Sequence, residues 1–393
     1  MKNVDILSAD FPQYEPSDAD RKAIEFVFQR FHSMNQSFLR PYRILNDRSI
    51  TQYEDDSMKR FSGYIPPSDE MMEDWQVKIF NNFTRTVLIN FLSETSLMPA
   101  KVKIRATNES GMLDKKRSFI LEKLNEFSEN NEQGEWKNFF HAMNIAVKGT
   151  GFRYEGYKRV KRDVRDILSF DPSSGKIRTE KKTIVDFDDC YALDVPIKEI
   201  RLGNVWDMEI QNQPDMVWYS VVEYRAAQAE FGRYANWKYV RPGQMASHLT
   251  TQPFFDVDQF VNIDPAQVHI LRYYNRPLDR MVIWANGVIL YDAPFPWIHK
   301  KYPFAKGIFE PLASNFAYGK SMPDKIATDQ DMINILWEMM INQGLLAIYK
   351  PILTDDPDEM EDSILIPGLV KKVGNKESYR VLNELTGPDA SSF

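Results

Sequence analysis

Residues 314–344 read SNFAYGKSMPDKIATDQDMINILWEMMINQG, and the fold turns on the residues after Gly319-Lys320-Ser321. Ser321 with Asp324 three residues on resembles a capping box, with Asp where Glu or Gln is usual. Pro323 falls in the first turn, where its missing N–H costs nothing. The spacing therefore predicts one helix over 321–344, stopped by Gly344 and roughly 33 Å long at 1.5 Å per residue. Its two sides differ. Ile326, Ile333, Trp337 and Met340 share one face; Asp324, Asp331 and Glu338, seven residues apart, share the opposite face with Thr328 and Asn342. The same three letters also end a phosphate-binding loop, which needs a glycine five positions before Gly319. Ser314 stands there, and Asn315, Phe316, Ala317 and Tyr318 lie between. Bulky aromatic residues do not build a cradle of backbone amides, so a turn glycine is the better reading.

Upstream, VHILRYYN and MVIWANGVILYDAP carry the strongest strand signal. Asn286-Gly287, flanked by Val282–Trp284 and Val288–Leu290, is the sequence of a type I′ hairpin. Further back, residues 151–200 outline a long charged hairpin turning at Pro172-Ser173-Ser174-Gly175. In it Lys158, Arg159, Lys161, Arg162 and Arg165 are read as facing Lys176, Arg178, Lys181 and Lys182. Asp163, Asp166 and Glu180 interrupt this basic run, so contact with an acidic neighbour or a second copy competes with polyanion binding. A helix is expected near Tyr224–Phe231. Residues 21–150 read as mainly helical, after a loosely held arm over 1–20. Ile24, Phe28, Phe31 and Met34 mark the first helix, with Ser17 or Asp18 as its cap. Trp75, Ile79, Phe83, Val87 and Phe91, every fourth residue, predict a second over about 66–94. Third and fourth helices are expected over Leu113–Phe127 and Glu135–Val147. Beyond 344, two short strands are expected around an acidic loop. The fold class is α+β.

Composition bounds the function. The chain has 393 residues, 43% hydrophobic and 13% aromatic, enough for a substantial core. A net charge of −7 argues against a generally basic nucleic-acid coat. One cysteine, Cys190, rules out an intrachain disulfide framework and suits a reducing compartment. No window reaches the ~18 apolar residues of a membrane span. His32, His141, His248, His269 and His299 form no metal-ligand pair in sequence, and no cofactor is expected. The acids Asp355, Asp356, Asp358, Glu359, Glu361 and Asp362 lack the alternation and central glycine of a calcium loop. The Trp284–Phe304 aromatics suit core or interface better than base stacking.

From Val268 onward the order of elements resembles the portal (head-to-tail connector) proteins of tailed bacteriophages, most like those of short-tailed and crAss-like phages. The residues that carry it are YYNRPLDRMVIWANGVILYDAPFPWIHKKYPF, then YGKSMPDKIATDQDMINILWEMMINQG, then YKPILTDD and ILIPGLVKKVG. Within them stand His299–Phe304, Tyr318–Ser321, Gln330-Asp331 with Asn334, Pro351, and Pro367-Gly368. The resemblance covers some 100 residues; residues 194–210 and the charged hairpin before them fit more loosely, and the first 150 add little. It implies a non-enzymatic, typically dodecameric ring at one capsid vertex of the virion, assembled in the host cytoplasm, through which double-stranded DNA is packaged and ejected. Implied partners are the major capsid protein, a terminase packaging motor and head–tail adaptor or tail proteins. In those terms residues up to 320 form the wing (helical to 150, the charged hairpin over 151–200, α/β over 201–320). Residues 321–344 form the stem helix, and 346–393 the β-containing clip.

Ile326, Ile333, Trp337 and Met340 would pack between subunits, and Asp324, Asp331 and Glu338 would face the channel. Asp355, Asp356, Asp358 and Glu359 would meet the motor or adaptor. Portals continue with a returning stem helix and often a crown, so the chain reads as the N-terminal part of a longer protein. The alternatives are a phage DNA- or nucleotide-processing enzyme, or another capsid or tail structural protein.

Overall fold

A computed structural model describes residues 11–64, 77–96, 102–106, 111–131, 134–171, 176–243, 266–348, 352–354, 370–372 and 379–381. The chain is mixed α and β and divides into two units, Met1–Glu54 with Glu94–Ser321, and Asp55–Ser93 with Met322–Phe393. Its helices are α1 (Asp18–Leu39), α2 (Ile50–Ser62), α3 (Phe83–Ser96), α4 (Met112–Asn131), α5 (Gly134–Lys148), α6 (Tyr224–Phe231), α7 (Met322–Lys325) and α8 (Ala327–Ile348).

The first unit is organised by an antiparallel sheet of β3 (Ile200–Leu202), β4 (Met216–Glu223), β5 (Gln267–Asn275), β6 (Arg280–Ala285) and β7 (Val288–Ala293), in that order. Asn286 and Gly287 take positive φ, 41° and 97°, which closes the β6–β7 turn as its Asn-Gly sequence requires. Strand β5 is central and apolar on both sides. Leu271 and Tyr273 pack with Ala23, Ile24, Val27, Phe28, Phe31 and Met34 of α1. Val268, Ile270 and Tyr274 enter the larger core on the other face. Both faces are covered, so its apolar residues fall on both sides, and even His269 and Arg272 are buried.

Helix α1 begins where Ser17 accepts from the Asp20 N–H while Asp20 reaches back to the Ser17 N–H, a full capping box. It is also fixed electrostatically. Arg30 donates two hydrogen bonds to Asp215, at 2.7 and 2.8 Å, and Tyr273 donates a third at 3.0 Å. Such a pair resists removal of one partner, since the other charge would be left buried. The arm is not loose over its described residues. The Phe11 carbonyl accepts from Arg241, and Tyr14 lies against Tyr239.

A second sheet places β1 (Thr150–Asp171) between β2 (Lys176–Val195) and β8 (Phe304–Ile308). Only Thr150–Tyr154 pairs with β8, so the rest of β1 and β2 forms a two-stranded extension of a ribbon about 70 Å long at 3.3 Å per residue. Two register shifts, at Val160/Lys161 and Ile167/Ser169, interrupt it. Strands β9 (Glu310–Pro311) and β10 (Gly319–Lys320) form a short pair.

The second unit contains α7, α8 and a small sheet in which β11 (Ile352–Thr354) pairs parallel with β12 (Val370–Lys372) and antiparallel with β13 (Tyr379–Val381). The structure corrects two sequence expectations. The helix expected over 321–344 has an irregular turn at Ile326 and continues past Gly344 to Ile348. Bonds from Ile326 N–H to Met322 and from Gln330 N–H to Ile326 keep the path helical across the turn. Gly344 does not stop it, and a Cβ there would meet nothing within 4 Å. The helix expected over 66–94 is helical only from Phe83; residues 77–82 form neither helix nor strand, and 65–76 lie outside the described residues.

Candidate functional site

Gly319-Lys320-Ser321 is a joint between backbones. Gly319 N–H donates to Thr150 Oγ1 and Ser321 N–H to the Tyr53 hydroxyl, both at 2.8 Å. A Cβ on Gly319 would lie 2.3 Å from Ile308 Cγ2 and 2.6 Å from the Gly149 carbonyl. The amides that would curl round a phosphate are already bonded, and the glycine is required by close approach.

The polar face of α8 is used chiefly to bind backbone. Asn342 Oδ1 accepts from Val77 N–H at 3.0 Å, Glu338 Oε1 from Ile79 N–H at 3.2 Å, and Asn334 Oδ1 from Asn81 N–H at 3.1 Å. Gln330 Oε1 accepts from the N–H and hydroxyl of Thr84, at 2.9 and 3.1 Å, and Gln330 Nε2 donates to the Asn81 carbonyl and to Asn334. The geometry explains the register. Four helical residues rise about 6.0 Å and two extended residues about 6.6 Å, so side chains four apart meet alternate amides of an extended segment. Asn82 then ends the extended run, accepting from Arg85 N–H at 3.0 Å as the cap of α3. Gln330 and Thr84 are fully buried.

The predicted site residues sort against this ladder. Glu338 is half-buried and forms one of its rungs. Asp331, exposed, accepts two hydrogen bonds from Arg60 at 2.8 and 3.2 Å. Asp324 is partly exposed in α7. Ile326, Ile333 and Met340 are half-buried, whereas Trp337 is 44% exposed. On α8, Met332, Ile335, Leu336 and Met339, at helical spacings of three, one and three, are also exposed apolar residues. Asp355, Asp356, Asp358 and Glu359 lie outside the described residues. Sequence reasoning missed Gln330, Asn334 and Asn342 as a set with Glu338. The available signal was four hydrogen-bonding side chains at strict four-residue spacing on a helix otherwise rich in Ile, Leu and Met.

The charged ribbon also differs from expectation. Arg165 does face Lys181, but the partners facing Lys158 and Arg159 are Asp189 and Asp188, because the basic residues of β2 lie nearer its start. Arg159 pairs with Asp188 and Arg162 with Asp186, each at 3.2 Å. These acids neutralise much of the basic run, which weakens it as a phosphate track.

A cleft of about 150 Å³ in the first unit is lined by His141, Lys148, Thr150 and Asp194 among others. His141 Nδ1 lies 2.6 Å from Asp194, and Lys148 pairs with Glu54 at 2.8 Å. A His–carboxylate pair could orient a base, yet Thr150 Oγ1, the hydroxyl lining the cleft, accepts from Gly319. The cleft is also small for a substrate pocket. Buried His269 has its pKa pushed down to about 4 by desolvation and shares a hydrogen bond with Tyr219. Among the described residues no three His, Cys, Asp or Glu side chains are grouped to hold a metal ion. Nor is any described helix long and apolar enough to cross a membrane.

No protein-family model matches the chain, and no curated protein matches it.

Proposed function

We propose that this chain is a subunit of a tailed-bacteriophage portal: a ring, dodecameric in the proposal, at one capsid vertex that conducts double-stranded DNA during packaging and ejection. The observation that carries the reading is the ordered run from Val268 to Lys372. It comprises the Asn-Gly hairpin of β6 and β7, the Tyr302-Pro303-Phe304 entry to β8, Tyr318-Gly319-Lys320-Ser321, the 22-residue α8, and then a small sheet. An exposed apolar stripe on α8 suits a helix that packs against neighbouring copies.

In this proposal α8 is the stem helix and the β11–β13 sheet belongs to the clip. Terminase motor and adaptor proteins dock there in turn, Asp355, Asp356, Asp358 and Glu359 included, and the major capsid protein surrounds the ring. The chain is not an enzyme; a separate motor hydrolyses the nucleotide. The carboxylates Asp324 and Glu338 contribute negative potential along the channel, which keeps phosphates from adhering to the wall. Asp331 is paired with Arg60.

Negative-stain electron microscopy of the purified chain tests the proposal. Rings with a central hole are expected, and a monodisperse monomer at micromolar concentration overturns it. Turnover of ATP or DNA by the purified chain would instead favour a processing enzyme.

A further inference from the structure

The β1–β2 ribbon is long and, among the described residues, two-stranded beyond Tyr154. Isolated two-stranded ribbons are at best marginally stable in water. Among the described residues no strand pairs with β1 beyond Tyr154, and none pairs with the outer edge of β2. Each edge therefore offers a row of backbone groups to a further strand.

Natural proteins often protect such edges with charge, so the distribution of sign decides what they admit. Between Tyr157 and Val164, β1 carries Lys158, Arg159, Lys161 and Arg162 against one acid, Asp163. Between Thr183 and Asp189, β2 carries Asp186, Asp188 and Asp189 and no base. Its Lys181 and Lys182 lie further out, level with Arg165 and Val164. The two strands are therefore opposite in charge along the same stretch. Of these charged side chains, Lys158, Arg159, Lys161, Arg162, Asp163, Lys181, Lys182, Asp186 and Asp188 are exposed and Asp189 is half-buried.

Three edge pairings are available to two copies. Pairing β1 with β1 sets Lys and Arg against Lys and Arg. Pairing β2 with β2 sets Asp186, Asp188 and Asp189 against themselves. Like charges directly opposite one another destabilise a ladder. Pairing β1 with β2 of the next copy repeats the arrangement that the ribbon already makes within itself. There Arg159 meets Asp188, Arg162 meets Asp186, and Thr183 donates to Asp163 at 2.9 Å.

We infer that the ribbon is an assembly edge: β1 of one copy pairs antiparallel with β2 of a second copy, through Lys158–Val164 and Lys182–Asp189, in the register the ribbon uses within itself. The contact is head-to-tail and uses two different edges on each copy, so it propagates until rotation closes it into a ring. It excludes a two-fold dimer. The ribbon's own pattern carries this inference, which stands apart from the portal proposal.

Disulfide trapping tests it on the full-length protein. Two single-cysteine chains are prepared, Asp163→Cys and Thr183→Cys, each also carrying Cys190→Ser. On mild oxidation the mixture is expected to give a crosslinked dimer, and neither chain alone should. Absence of the mixed product, or crosslinking of either chain with itself, overturns the inference. A second measurement removes dependence on the introduced thiols. A chain with Arg159→Glu and Arg162→Glu, and a chain with Asp186→Lys and Asp188→Lys, should each sediment as monomers and assemble when mixed. Failure to assemble on mixing, with both chains folded by circular dichroism, counts against it equally. Rings that form without the 163–183 crosslink would sink this inference and leave the portal proposal standing. Crosslinked open chains without rings would do the reverse.

Discussion

Two glycines near the ends of the same sequence motif illustrate how differently one residue type can be used. Gly319 is buried, and its missing Cβ makes room for Ile308 Cγ2 and for the carbonyls of Gly149 and Glu310. Backbone atoms cannot swing aside as a side chain can. Gly319→Ala is therefore expected to destabilise the protein by about 3 kcal/mol, the upper range for overpacking. Gly344 sits in the body of α8 with open space around it. There the substitution meets nothing and removes only the entropic cost of glycine in a helix. Gly344→Ala should stabilise by about 0.5–1 kcal/mol. Urea denaturation of the two variants checks both signs, and a destabilised Gly344→Ala would mean that the helix end is not as described. The sequence marked Gly319 as a turn glycine and Gly344 as a helix stop. Gly319 does sit where a side chain would collide, but the positional logic of a helix-stopping glycine failed at Gly344. Nothing local decides whether a helix uses a glycine to stop or passes through it.

At the scale of elements, the legible parts were those whose signal is local. Asn286-Gly287 defined its hairpin, Ser17 was one of the two candidate caps for α1, and VHILRYYN was read as a strand. The extended segment 77–82 was illegible for a physical reason. Ile79, Phe83, Val87 and Phe91 satisfy a helical period, and nothing within that segment announces that its amides belong to side chains some 250 positions away. The ladder on α8 overrides local propensity because it satisfies alternate backbone donors along one extended stretch. Gln330 is its most demanding rung, since it is buried and serves both Thr84 and Asn81. Gln330→Ala should cost about 2–3 kcal/mol, the penalty of leaving buried donors without acceptors. Amide hydrogen exchange should show Val77, Ile79, Asn81 and Thr84 losing protection together. Loss confined to Thr84 would show that the rungs are independent and that no cooperative ladder exists.

On the scale of the whole molecule, the ladder changes which experiment can isolate the channel. Replacing Asp331 by Asn would remove one negative charge and leave Arg60 unbalanced, adding attraction for phosphate by a second route. Its effect on DNA passage would not report the wall alone. Glu338→Gln is cleaner. The amide keeps an oxygen to accept from Ile79 N–H, so the rung survives while the charge is lost. Asp324→Asn removes a second charge on the same side of the helical path. The expected outcome for the double variant Asp324→Asn, Glu338→Gln is unchanged rings by electron microscopy. DNA packaging driven by the cognate motor should be slower, most clearly at low ionic strength, where exposed charges are least screened. A negative wall works by denying phosphates a resting place, and neutral amides would offer hydrogen bonds without repulsion. Packaging at the wild-type rate at every salt concentration would show that these carboxylates serve the fold alone. The polar face of α8 would then be a clasp for residues 77–84, with no part in conduction.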